Sequence, residues 1–291
     1  MNLLVLEAGK ISGTDYSIPD WSRAIELGHK VNTAWVTDGS DDGPDAVICM
    51  SVSVMEQAWN ALRMYPNVPL FVYHWDLYKS IVEHPRPGEY DYLRWGSLLD
   101  KANEVWVPSD CTGRRANEWW NTTNWHTIRS AVQTWEAPDT EDYGFALCCL
   151  REIPDPHFGL FEQACDDLEM PCRMTRHAMG REEYEHTVAH CSFIVAPLYE
   201  LSTGGLSLLE AYYLGKPALI SDSEWNGAVD YLGDRAAYFE SGNLEDLKIS
   251  LQLMWAARHE PVADDHKEYV TETFSDARMV EQMIDRIEAS I

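Results

Sequence analysis

Short apolar runs of strand length recur along the chain, each followed by a segment whose apolar residues return at helical spacing. In the first half the runs are Leu3 to Leu6, Ala46 to Met50, Leu70 to Tyr73 and Val105 to Val107. In the second half they are Phe145 to Leu150, Phe193 to Ala196, Ala218 to Ile220 and Ala237 to Phe239. Helical spacing runs through Val54 to Met64, Phe158 to Leu168, Arg181 to His190, Leu206 to Leu214 and Leu244 to Trp255. Strands without polar alternation are buried on both faces, and helical crossovers between them make parallel sheets. The pattern predicts an α/β protein in which one architecture is laid down twice.

The interruption is QTWEAPDTEDY, Gln133 to Tyr143, which is polar, carries a proline and follows neither period. It divides the chain into a first domain over 1–136 and a second over 137–275. A last helix follows over 276–291, with Met279, Met283, Ile284 and Ile287 on one face. That face is expected to pack back on the first domain.

Composition adds charge to this picture. The 291 residues hold 22 Lys+Arg against 48 Asp+Glu, a formal net charge of −26. Residues 1–136 carry 11 basic and 18 acidic groups, net −7, and residues 137–291 carry 11 and 30, net −19. So acidic a surface disfavours general adhesion to nucleic acid or anionic lipid and leaves room only for local positive pockets. The seven cysteines are odd in number, form no C-x-x-C pair and sit mostly in apolar runs, as buried thiols of a reducing compartment do. MNLLVLEAG has neither the basic start nor the long apolar stretch of a leader, and no uncharged apolar run reaches the ~18 residues of a membrane span. The expected location is the cytoplasm.

The segment richest in chemistry is Ser202-Thr203-Gly204-Gly205-Leu206, which follows the strand FIVAPLY and opens a helix bearing Glu210. Two glycines at such a turn let backbone amides approach a ligand closely. The helix N-terminus adds partial positive charge, so an anion such as a diphosphate suits the site. Glu210, on the first helical turns, is placed to accept hydrogen bonds from ribose hydroxyls. The plainer reading is a glycine turn with a capping hydroxyl.

The stretch Glu183 to Leu247 closely resembles the donor half of retaining GT-B glycosyltransferases of the family-four group. Pro197, Gly205, Leu206, Glu210, Ala211, Gly215, Lys216, Pro217, Asp222, Gly242, Asn243 and Leu244 fall into that family's register. The resemblance implies two Rossmann-like domains with parallel sheets facing across a cleft, acceptor on the first and nucleotide-sugar donor on the second. It implies sugar transfer with retention from a UDP- or GDP-type donor, with no metal and no further cofactor. The family's first glutamate falls at Ser202, with Glu200 two residues earlier, so either one serves the donor sugar. Arg151 matches the arginine that meets the leaving diphosphate; the accompanying lysine is missing, and His157 is its candidate substitute. A guanidinium facing that developing charge would supply more transition-state stabilisation than any other single group in such catalysis.

In the first half the resemblance is looser. Gly13 matches an N-terminal glycine loop, whereas Gly28 reads as a helix cap before the next strand. His74 stands at a strand's C-terminal end, where α/β sheets gather ligands; it either touches sugar or acceptor or packs under Trp75, with Asp76 as an orienting partner or a solvated group. Ser109 reads as a helix cap, with Arg114 and Arg115 near the cleft or on the surface. Trp119, Trp120 and Trp125 read as packing, or as a stacking platform. His186 and His190 share a helix face without a third ligand, and the acidic loop Asp38 to Asp45 reads as solvated, so no metal site is expected.

The acceptor, whether glycan, small molecule or modified DNA, and the oligomeric state are not written in these residues. Two alternatives to ordinary glycosyl transfer stand: the same chemistry on hydroxymethylated bases of DNA, of viral type, and a nucleotide-sugar-binding protein without catalysis. A dehydrogenase is disfavoured because no G-x-G-x-x-G follows the first strand.

Overall fold

The computed structural model describes residues 1–7, 19–33, 43–74, 92–137, 139–149, 158–175, 179–197 and 205–291. These fall into two compact units. One is Met1–Ala131 together with Thr273–Ile291, and the other is Val132–Glu272.

The first unit holds β1 (Asn2–Leu6), α1 (Ser22–Glu26), β2 (Lys30–Asn32), β3 (Ala46–Cys49), α2 (Met55–Met64), β4 (Leu70–Tyr73), α3 (Tyr92–Leu99), β5 (Glu104–Val107), α4 (Asp110–Trp120) and β6 (Trp125–Thr127). Its sheet runs β2-β1-β3-β4-β5-β6, all parallel. Successive side chains of a strand leave opposite faces, and here both faces are buried. Leu3, Val5, Ala46, Ile48, Phe71, Tyr73 and Trp106 build one core; Leu6, Val47, Cys49, Leu70, Val72, Val105 and Val107 build the other. Gly28 takes a φ of +88° between α1 and β2, the cap its position suggests. Ser109 caps α4 by accepting from the Thr112 N–H at 3.1 Å.

The second unit holds β7 (Ala146–Cys149), α5 (Phe158–Asp167), β8 (Cys172–Thr175), α6 (Arg181–His190), β9 (Phe193–Ala196), α7 (Leu206–Tyr213), β10 (Ala218–Ser221), α8 (Ala228–Leu232), β11 (Ala237–Phe239), α9 (Leu244–Ala256) and α10 (His266–Thr273). Its parallel sheet runs β11-β10-β9-β7-β8. The chain steps from β7 outward to β8, then back across β7 to β9. Strand order therefore reverses between β7 and β9. In open α/β sheets the crevice beyond the carboxyl ends at that reversal is where ligands bind.

The closing helix α11 (Asp276–Glu288) belongs to the first unit, with Met279, Val280, Met283, Ile284 and Ile287 buried in its core beside α1. Two ion pairs fix it: Arg23 Nε donates to Glu281 Oε1 at 2.7 Å, and Arg286 grips Glu104 on β5.

The break placed at 136 and 137 from sequence falls inside the second unit, for a visible reason. Trp135 packs on Tyr184 and beneath Arg181, while Glu136 accepts from Tyr213 Oη at 2.7 Å and from Lys267 Nζ at 3.0 Å. Among the described residues no helix is long and apolar enough to cross a membrane.

Candidate functional site

The carboxyl edge of the second sheet, at the β7 and β9 reversal, gathers polar groups from four elements. Cys149 ends β7, Thr175 ends β8, Arg181 and Tyr184 lie on the first turn of α6, and Ser207 and Glu210 lie on the first turns of α7. Gly205 precedes α7 with φ +66° and ψ +99°, a left-sided conformation that costs a side-chain-bearing residue energy. The position before α7 therefore favours glycine.

Glu210 is almost wholly buried. Tyr184 Oη donates to its Oε2, and Arg181 Nη1 lies 3.5 Å from Oε1. Burial raises the Glu210 carboxyl above the ordinary carboxylate range, against the opposing pull of Tyr184 and Arg181. Burial also lifts the Tyr184 phenol, which keeps it a donor to the carboxylate. The Cys149 thiol hydrogen-bonds with Thr175 and Ser207, and burial pushes it well above the usual thiol range, so it stays neutral beside Glu210. The edge thus presents one buried carboxylate, braced by a phenol and a guanidinium, beside a helix N-terminus.

In the first unit His74 follows β4 and is buried. Trp95 Nε1 donates to His74 Nδ1 at 3.0 Å, which puts the imidazole proton on Nε2. Burial lowers its pKa to about 3, so the ring is neutral at ordinary pH. The Trp120 ring meets it edge-on with centroids 5.4 Å apart, and Trp119 meets Trp120 in the same way at 5.7 Å. The three tryptophans of the sequence cluster are packing groups: Trp120 lies against Gly96 and Trp125 against Gly113. Arg115 is buried beside the Trp119 ring and Arg114 is exposed.

Of the residues singled out from sequence, Gly205, Leu206 and Glu210 lie together at the second sheet's edge, and His74 lies in the first unit. Gly13, Arg151, His157, Glu200, Ser202, Thr203 and Gly204 lie outside the described residues, as do Trp75, Asp76 and most of the acidic loop. His186 and His190 contact each other edge-on at 4.3 Å. His190 stacks on Tyr143, and its Nδ1 lies 2.9 Å from the Glu141 carbonyl, so this pair serves packing. All seven cysteines are free thiols. Sequence reasoning passes over Arg181 and Tyr184. No local sequence signal finds them, since they reach Glu210 only through the packing of α6 beside α7.

No protein-family model matches the chain, and no curated protein matches it by sequence. Solved structures do match by shape. Sucrose-phosphate synthase of Thermosynechococcus elongatus superposes with a TM-score of 0.71 at 12% identity, covering 99% of this chain and 98% of that one. HepE of Anabaena, in complex with UDP-glucose, gives 0.67 at 12% identity over 99% and 100%. An α-glucosyltransferase in complex with UDP and a 13-mer DNA containing an HMU base gives 0.57 at 11% identity over 99% of each chain. With two parallel Rossmann-like sheets, these likenesses define the fold as that of GT-B glycosyltransferases.

Proposed function

We propose that the chain is a glycosyltransferase that moves a sugar from a UDP-type nucleotide donor to an acceptor hydroxyl. The observation that carries this is the buried, doubly braced Glu210 carboxylate on the helix that leaves Gly205 at the strand-order reversal. A carboxylate there can take ribose hydroxyls while the helix N-terminus faces a diphosphate. HepE with UDP-glucose and the α-glucosyltransferase with UDP support a uridine nucleotide as the donor class.

Retention and metal independence follow from the family resemblance. Arg151, the turn amides of Thr203 to Leu206 and the dipole of α7 meet the charge that grows on the departing diphosphate. The bond from the anomeric carbon to the phosphate oxygen breaks, the bond to the acceptor oxygen forms on the same face, and the freed phosphate oxygen takes the acceptor proton. His157 supports the diphosphate, Glu200 or Ser202 the donor sugar, and His74, as an Nε2–H donor, a sugar or acceptor oxygen.

A second reading concerns the acceptor alone. The likeness to an α-glucosyltransferase solved with modified DNA favours a hydroxymethylated base, and the first 136 residues, at −7, oppose a polyanion less than the rest. Binding to hydroxymethylated duplex that falls steeply with salt supports it; no binding at low salt removes it.

A panel of nucleotide sugars, followed by thermal shift and release of free nucleotide with and without EDTA, tests the proposal. One donor is expected to stabilise the protein and to be turned over equally in both conditions. Stabilisation without turnover favours the binding-only alternative, and no effect from any donor defeats the proposal.

A further inference from the structure

Three side chains that no motif singles out decide how Glu210 is presented. Tyr184 holds Oε2 and Arg181 lies on Oε1. Arg181 is fixed from two other sides, by an ion pair with Glu185 and by the Trp135 ring, whose centroid lies 4.7 Å from its guanidinium carbon. Trp135 in turn packs on Tyr184, with ring centroids 6.1 Å apart. A carboxylate has about four acceptor positions, two on each oxygen. Among the described residues one position on each oxygen is engaged. Among those residues one on each remains, and two neighbouring acceptors on a rigidly held carboxylate match two neighbouring hydroxyls. A ribose offers that pair; a 2′-deoxyribose offers only one.

Resting on the nucleotide reading above, we infer that Trp135, Arg181 and Tyr184 are positioning residues that give the nucleotide site its sugar selectivity, orienting Glu210 to accept from both hydroxyls of a ribose and so to prefer ribonucleoside over 2′-deoxyribonucleoside diphosphates. Without Tyr184 the carboxylate turns about its last side-chain bond and is left with the longer Arg181 contact alone. It then no longer offers both acceptors in one orientation.

The test is calorimetric titration of the full chain with UDP, 2′-deoxy-UDP, GDP and 2′-deoxy-GDP, for wild type, Tyr184→Phe, Arg181→Met and Arg181→Lys, with thermal unfolding as the check on folding. Wild type is expected to bind the ribo form roughly tenfold or more tightly, the size of a lost hydrogen bond to a charged group. Tyr184→Phe is expected to weaken the ribo form, to leave the deoxy form nearly unchanged and to bring the ratio close to one. Arg181→Met is expected to lower the ratio and Arg181→Lys to restore part of it. If Tyr184→Phe does not fold, the two Arg181 variants carry the test. Wild-type discrimination persisting in the folded variants overturns the inference, as does equal binding of both forms by wild type, and each leaves the nucleotide reading intact. Failure of wild type to bind any of the four overturns both.

Discussion

At the scale of single residues, Glu210 and His74 are buried titratable groups held in opposite ways. Burial raises Glu210, while Tyr184 and Arg181 keep it an acceptor. Acidification therefore protonates it at a higher pH than an exposed carboxylate, and the protonated form loses an acceptor position. Nucleotide affinity is expected to fall on acidification in a window above the ordinary carboxylate range. Glu210→Gln should bind about tenfold or more weakly at neutral pH and lose that pH dependence, which titration calorimetry across pH reads directly. For stability the same shift has the reverse sign: the folded state binds this proton more tightly than the unfolded one, so its stabilisation is full at low pH and is lost as pH rises through the folded-state value. His74 is depressed to about 3, so the unfolded chain takes up a proton below ~6.5 that the folded one refuses. Its contribution is present above that pH and falls by about 1.4 kcal/mol per unit of acidification below it. Denaturant unfolding of His74→Gln between neutral and mildly acidic pH should show a shallower decline than wild type.

At the scale of elements, the glycines that admit large rings are the most exposed to substitution. A Cβ on Gly96 would lie 2.2 Å from Trp120 Cδ1, and one on Gly113 would lie 2.5 Å from the Trp125 ring. Gly96→Ala and Gly113→Ala are each expected to cost ~1–3 kcal/mol by chemical denaturation, as overpacked cores do. Gly96→Ala should also disturb His74 through Trp120. On the polar side, Asn243 caps α9 by accepting from the Glu245 and Asp246 amides. Asn243→Ala is expected to cost ~1 kcal/mol.

Which elements the sequence discloses follows the same physics. The eight apolar runs all lie in strands: seven of these have neighbours on both sides, where burial disfavours polar residues, and the eighth, β11, is an edge strand of three residues that still reads as apolar. The strands that the pattern does not disclose are β2, β6 and β8, and each lies at the edge of its sheet. Lys30, Asn32, His126 and Arg173 are exposed there, so no continuous apolar signal survives. Gly205 is legible because its positive φ favours glycine, and Glu210 because it follows at a fixed spacing on the helix that begins there. The braces are less so: Tyr184 and Arg181 meet Glu210 only through the packing of α6 beside α7, and Trp135 only because the segment after Ala131 lies on the second unit. No periodicity encodes those contacts.

At the scale of the whole molecule, the two units are built unequally from sequence. The first is completed by α11 from the far end of the chain, whose buried face supplies five core residues to it. Met283→Ala is expected to destabilise that unit by ~2–5 kcal/mol while leaving nucleotide affinity within about twofold, since nucleotide would be held by the second. Unfolding followed by circular dichroism beside nucleotide titration separates the two effects. The uneven acidity also has a place in this scheme. Within the more acidic half, Arg181 lies on Glu210, and Arg151 is proposed for the diphosphate.

The central question is whether the second unit holds a nucleotide-diphosphate sugar through Glu210. Calorimetric titration of UDP-glucose and GDP-glucose into wild type and Glu210→Gln addresses this directly. Wild type is expected to bind the UDP sugar saturably and one-to-one, at ~1 μM to 1 mM as is usual for enzyme substrates, and the variant to lose tenfold or more. Equal binding by a folded Glu210→Gln protein, or no binding by wild type, would contradict it.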